Sequence, residues 1–177
     1  MSLAAIAPTA EEKKLDADSF VVSRTDTSGK IRYANRTFME VSGYSERELL
    51  GRPHNIIRHP DMPRGMFHLL WQEISAGREF FMFVKNLCKD GAFYWVFANV
   101  SPDFAADGHT ITGYYSVRRA PTEQAIRTIE PLYAEMRRIE ENHDRRQGPL
   151  ESVAFLENHL AERGTKYEKF VLDLYRG

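Results

Sequence analysis

The run Arg58-His59-Pro60-Asp61-Met62-Pro63 places a guanidinium, an imidazole and a carboxylate within four consecutive positions. Pro60 and Pro63 each fix φ near about −65° and bias His59 and Met62 away from helix, so the three polar groups are held rather than loosely displayed. Arg58 offers a planar fork for phosphate or carboxylate, His59 an aromatic face with a switchable proton, and Asp61 an acceptor able to fix either neighbour. These residues admit two roles. They form one wall of a ligand site, or Asp61 caps a helix that begins near Pro63. His59 with Asp61 also has the composition of an acid/base pair, and His54, His59 and Asp61 that of a metal site. Neither a recognised zinc spacing nor a nucleophile accompanies them, so binding is expected rather than catalysis. None of the six histidines lies in a haem-attachment motif.

The charge balance narrows the partners. With 24 basic against 25 acidic residues and a net charge of −1, the 177-residue chain has no bulk field to attract nucleic acid or an anionic membrane. Its single cysteine, Cys88, excludes an internal disulfide and fits a reducing compartment. The opening segment lacks a signal-peptide pattern, and no run approaches the roughly 18 apolar residues of a membrane span, so a soluble cytoplasmic protein is expected.

Several elements must position the polar run. Residues 20–34 read as a hairpin turning at Asp26-Thr27-Ser28-Gly29. Asn35 caps a short helix ended by Gly43, and Ser45 starts another. From Pro63 to Ser75, apolar residues including Met66, Leu70, Trp71 and Ile74 recur at helical spacing, so this amphipathic helix should lie over a sheet. Residues 79–88 and 93–100 form a hairpin around Lys89-Asp90-Gly91, and a third strand runs through Tyr114 to Val117. Beyond Ala120 helical periodicity takes over, with Pro131 as a kink or fresh start, a turn over 142–149, a helix ended by Gly164 and a last short helix from Tyr167. The expected division is an N-terminal cap or linker over 1–19, a sensor domain over 20–120 and a helical extension over 121–177.

Taken together, Pro53-His54-Asn55, the 58–63 run, Val84-Lys85-Asn86, Tyr94-Trp95-Val96 and Glu130-Pro131-Leu132-Tyr133 resemble, in order and spacing, the PAS family. More narrowly, they resemble the FAD-binding sensor domains of bacterial aerotaxis receptors. The resemblance covers about residues 20–133. It implies an α+β fold, with a five-stranded antiparallel sheet, helices on one face and a ligand between them. By position it assigns Arg58, His59, Asp61, Trp71 and Asn86 to cofactor binding. FAD presents a diphosphate and adenine to Arg58 and His59, and a flat ring system that needs aromatic walls and an amide at its polar edge.

Two departures bear on the cavity. Phe80, Phe81 and Met82 stand where the family commonly has a tryptophan followed by small residues, and Phe97 follows Tyr94-Trp95-Val96 where arginine is frequent. The bulky triplet is expected to reduce the pocket if its side chains point inward. Two functions follow. One is a cytoplasmic redox or oxygen sensor that binds FAD, pairs as a homodimer and signals to another protein through its flanking helices. The other is a flavin-free interaction or dimerisation module, or a sensor of a different small ligand.

Overall fold

The computed structural model describes residues 6–177. The first hairpin forms as β1 (Val21–Thr25) and β2 (Ile31–Ala34). Asn35 then accepts the Phe38 N–H and starts α1 (Arg36–Ser42), and a capping box between Ser45 and Glu48 opens α2 (Glu46–Leu49). A 3-10 turn over His54–Ile57 leads through the proline segment into α3 (Arg64–Ser75). β3 (Phe80–Leu87), β4 (Phe93–Phe104) and β5 (Ile111–Arg119) complete the sheet. Its order is β2-β1-β5-β4-β3 with every neighbour antiparallel, so the first and last strands meet in the middle and β3 lies at an edge. The fold is α+β, as the resemblance implies.

Strand alternation sorts the chemistry. Met82, Val84 and Asn86 of β3, Ala98 and Val100 of β4, Tyr114, Ser116 and Arg118 of β5, and Ser23 of β1 share one face and line a cavity beneath α3. The intervening residues Phe83, Trp95 and Phe97 are also buried, which requires a cover on the other face.

That cover is the C-terminal helices. In α4 (Glu123–Glu141), Ile129, Leu132, Tyr133 and Met136 are buried, and Trp95 stacks on Tyr133. The helix continues through Pro131 rather than restarting there. α5 (Gln147–Glu162) begins earlier than its Gly148-Pro149 pair implies. Asp144 accepts the N–H groups of Arg146 and Gln147, and Pro149 falls in the first turn, where its missing N–H costs no intrahelical bond. α5 lies close against α3: a Cβ on Gly65 would collide with the Ser152 hydroxyl, so only glycine allows the contact. α6 (Tyr167–Arg176) returns to β3.

The β3 edge has its outward groups satisfied by side chains. Tyr133 donates to the Phe83 carbonyl and Tyr167 to the Phe81 carbonyl, each at 2.9 Å, while the Lys85 N–H reaches the Met62 sulfur. An uncovered edge would offer these groups to another chain. The aromatic departures now have a place. Phe80 stacks on Tyr167 at 5.2 Å and Phe97 on Tyr175 at 4.1 Å, both with rings within 10° of parallel, and Phe81 stacks on Phe97. These rings seat α6. The N-terminal segment adds a short stretch beside β4, exchanging backbone hydrogen bonds between Glu11, Lys13 and Phe93.

Candidate functional site

The cavity between α3 and the sheet holds about 280 Å³, close to the lower end of the roughly 300–1,000 Å³ usual for small-molecule sites. Phe67, Leu70 and Ile74 of α3 make its roof, and Met82, Val84 and Val100 its floor. Of the bulky triplet only Met82 reaches it; Phe80 and Phe81 are engaged elsewhere, so the pocket stays open. Trp71 stands at its mouth, 40% exposed and edge-on to Tyr114 at 5.5 Å. The facing position is Gly29, at φ +79°, where a Cβ would come within 3.1 Å of the Trp71 ring.

The inner end is polar and rich in donors. Arg118 is 2% exposed, donates to the Ser23 hydroxyl, the Val21 carbonyl and His54 Nε2, and lies over the Phe38 ring. It forms no ion pair with a carboxylate among the described residues, and burial lowers its pKa to about 10. His54 accepts at Nε2 from both Arg118 and Ser23 while its ring stacks on Phe38; burial and the Arg118 charge lower its pKa to about 3, so it is neutral. Asn86 is buried, and neither its Nδ2 nor the Tyr94 hydroxyl makes a hydrogen bond of normal length, although the two side chains lie near enough to interact with each other. A buried, unpaired amide donor costs about 1–3 kcal/mol, which a ligand with acceptors at that end would recover.

The proline segment turns away from this chamber in part. Arg58 borders it, with its guanidinium over the Phe67 ring at 4.0 Å and its pKa lowered by burial. His59 instead lines a second, more open cleft of about 570 Å³, which shares Asn55 and Arg58 with the first. Asp61 lines neither. Its backbone N–H donates to His59 Nδ1, and its carboxylate accepts from Lys85 and from Arg137 of α4, both at 2.7 Å. Burial raises the Asp61 pKa, but the Lys85 hydrogen bond and the charges of Lys85, His59 and Arg137 outweigh it and hold the carboxyl below its ordinary value.

Asp61 does not cap α3. That role falls to Glu140 of α4, 5% exposed, whose carboxylate accepts the N–H groups of Arg64 and Gly65 and the Ser152 hydroxyl. The structure thus brings Arg58, Trp71 and Asn86 to one cavity and puts His59 and Asp61 behind it. Sequence reasoning passed over Arg118, Ser23 and Ser116. Alternation supplied a signal: Tyr114, Ser116 and Arg118 share the face of β5 opposite Tyr115 and Val117. His54 and His59 engage different partners and are not gathered around a metal-sized space.

Residues 31–115 match the family model described as the PAS fold; with the sheet order and the enclosed cavity, this makes the sensor-like body a PAS domain. Over 170 residues the chain is 37% identical to the aerotaxis receptor of Escherichia coli (strain K12), covering 93% of this chain but 33% of that protein. It therefore spans about a third of that relative's length. Phototropin-2 of Oryza sativa subsp. japonica is 34% identical over 85 residues, or 48% of this chain and 9% of that one. Among solved structures, the dark form of the blue-light photoreceptor Aureochrome1 LOV superposes with a TM-score of 0.52 at 26% identity, covering 68% of this chain and 85% of that one. No helix among the described residues is long and apolar enough to cross a membrane.

Proposed function

We propose that this chain is a cytoplasmic PAS sensor that binds FAD and reports redox state or oxygen to a protein partner. The observation that carries it is the donor-rich inner end of the cavity: Asn86 Nδ2 makes no hydrogen bond of normal length and Arg118 meets no carboxylate, while the roof and floor of α3 and β3 are apolar. An isoalloxazine is apolar on its faces and rich in acceptors along one edge, and it takes up negative charge on reduction, which this environment suits. The similarity to an aerotaxis receptor over nearly the whole chain supports a redox role. When bound, flavin supplies reversible electron uptake at physiological potentials.

The chain's residues do the rest. Asn86 and Arg118 orient the polar edge, Met82 and Leu70 exclude water from the ring faces, and Trp71 closes the mouth. Arg58 and Asn55 border both the chamber and the second cleft, whose volume of about 570 Å³ would take the remainder of a dinucleotide. Residues 20–120 act as the sensor and 121–177 as the output extension, in a homodimer; of the 1–19 cap or linker, residues 1–5 lie outside the described residues and 6–19 serve as the cap. The Ser23 hydroxyl that meets His54 Nε2 also accepts from Arg118, so it serves the donor network at the polar end, and the site is read as a binding site.

The test is absorption and mass spectrometry of the full chain as purified. Flavin absorption near ~450 nm with the mass of FAD is expected. A colourless protein, or one carrying another ligand, overturns the proposal.

A further inference from the structure

The second cleft is built from two parts of the chain. The proline segment supplies Arg58 and His59, α3 supplies Arg64, and α4 supplies Arg137, Glu140 and Glu141. The match to the PAS fold ends at residue 115, so the α4 wall lies outside it.

The donors on the two sides differ in how far they are already engaged. Arg64 and Glu140 are committed to each other and to the start of α3. Three groups keep unused donor capacity. The Arg58 side chain makes no hydrogen bond or ion pair among the described residues beyond its place on Phe67. His59 is 3% exposed, and because its Nδ1 accepts the Asp61 N–H, the neutral ring carries its proton on Nε2, which has no partner. Arg137 gives Nη1 to Asp61, while its Nη2 comes no nearer to a carboxylate than 3.7 Å from Glu141. Two guanidinium groups and a buried ring N–H with spare donors suit a group bearing two negative charges and several acceptor oxygens.

We infer that Arg137 of α4 is a specificity-determining residue: with Arg58 and His59 it takes the diphosphate of a dinucleotide, so that the C-terminal extension completes the ligand site and selects FAD over FMN. Asp61 is then a positioning residue. It fixes the His59 tautomer through its backbone and draws Arg137 to the cleft through its carboxylate, without touching the ligand.

This inference rests on the flavin reading above, and a comparison of two flavins separates them. The full-length wild type and Arg137→Gln are stripped of ligand and titrated with FAD and with FMN, following flavin fluorescence, and both proteins are unfolded in urea. Wild type is expected to prefer FAD. Arg137→Gln is expected to weaken FAD by about tenfold, the loss of one charge-assisted contact, while FMN changes by less than about twofold. Equal weakening of both flavins, or no change in either, overturns the role of Arg137 and leaves the flavin reading standing. A wild type that binds neither flavin overturns both. If Arg137→Gln proves unstable in urea, Arg137→Lys serves instead: it keeps the charge but loses the fork, and must show the same split between FAD and FMN.

Discussion

Glu140 Oε1 accepts the Gly65 N–H at 2.7 Å across 75 positions, so the first turn of α3 is capped by a side chain of α4. The helix that roofs the cavity is thereby fixed by the extension that follows the sheet. The same carboxylate takes the Arg64 N–H and the Ser152 hydroxyl, tying three helices at one buried point.

Removing that carboxylate should be costly. Glu140→Ala is expected to destabilise the protein by about 3 kcal/mol, since two backbone donors and a hydroxyl lose a charged partner in the interior. Glu140→Gln should lose less, because the amide oxygen still accepts. Urea unfolding of both variants checks the order.

Arg118 separates stability from binding. A buried cation without a carboxylate is expensive to hold, so in Arg118→Met the bonds lost at Ser23, Val21 and His54 are partly offset, and the ligand-free protein should lose no more than about 1–3 kcal/mol. Flavin affinity should fall by at least about tenfold, because the charged donor at the polar end is gone. Thermal unfolding without ligand and a flavin titration measure the two effects separately. A large stability loss with affinity intact would assign Arg118 to the scaffold.

The walls of the cavity can be told from its surroundings by steric tests. Val84→Phe places a ring in the chamber and should abolish flavin retention, with stability changed by no more than about 1–3 kcal/mol. Phe81→Leu, on the far face against Phe97, should retain flavin fully while loosening α6. The ratio of flavin absorption to protein absorption after purification distinguishes them.

Acid should destabilise the fold before its carboxylates titrate. The His54 pKa is lowered to about 3 in the folded protein by burial and the Arg118 charge, whereas unfolded histidine titrates near about 6.5. The unfolded chain therefore binds the extra proton between these values, and stability should fall with decreasing pH by up to about 1.4 kcal/mol per unit across that window. His59, also lowered by burial, adds to the slope in the same direction. Asp61, whose folded pKa is lowered, contributes stability that is lost only below the ordinary carboxylate range. Urea unfolding between pH 7 and 4 should show the slope, and His54→Gln should flatten it.

Much of this protein is legible in the order of its residues alone. Alternating strands, the glycine turns, the Asn35 cap and the amphipathic face of α3 follow from local preference and period, because each is decided within a few residues. The motif order that resembles the PAS family is equally local, and it leads to Arg58, Trp71 and Asn86, which do line one cavity. Asp61 reads as a helix cap for the same reason, since its sequence position permits that role.

Tertiary structure decided what spacing cannot express. Alternation alone turns Phe81 to the far face, but Phe80 shares the face of Met82, and what engages its ring is Tyr167 of α6, more than 80 positions further on. Asp61 does not cap α3 because Glu140 of α4 holds the Arg64 and Gly65 N–H groups, while Lys85 and Arg137 hold Asp61. Arg118 became a cavity residue only when β5 settled between β1 and β4, burying its charge beside Ser23 and His54. The sequence determined the elements and the kinds of side chain they carry. The pairing of distant elements, set by burial of their remaining apolar faces and by competition for each buried polar group, determined which of those side chains meet.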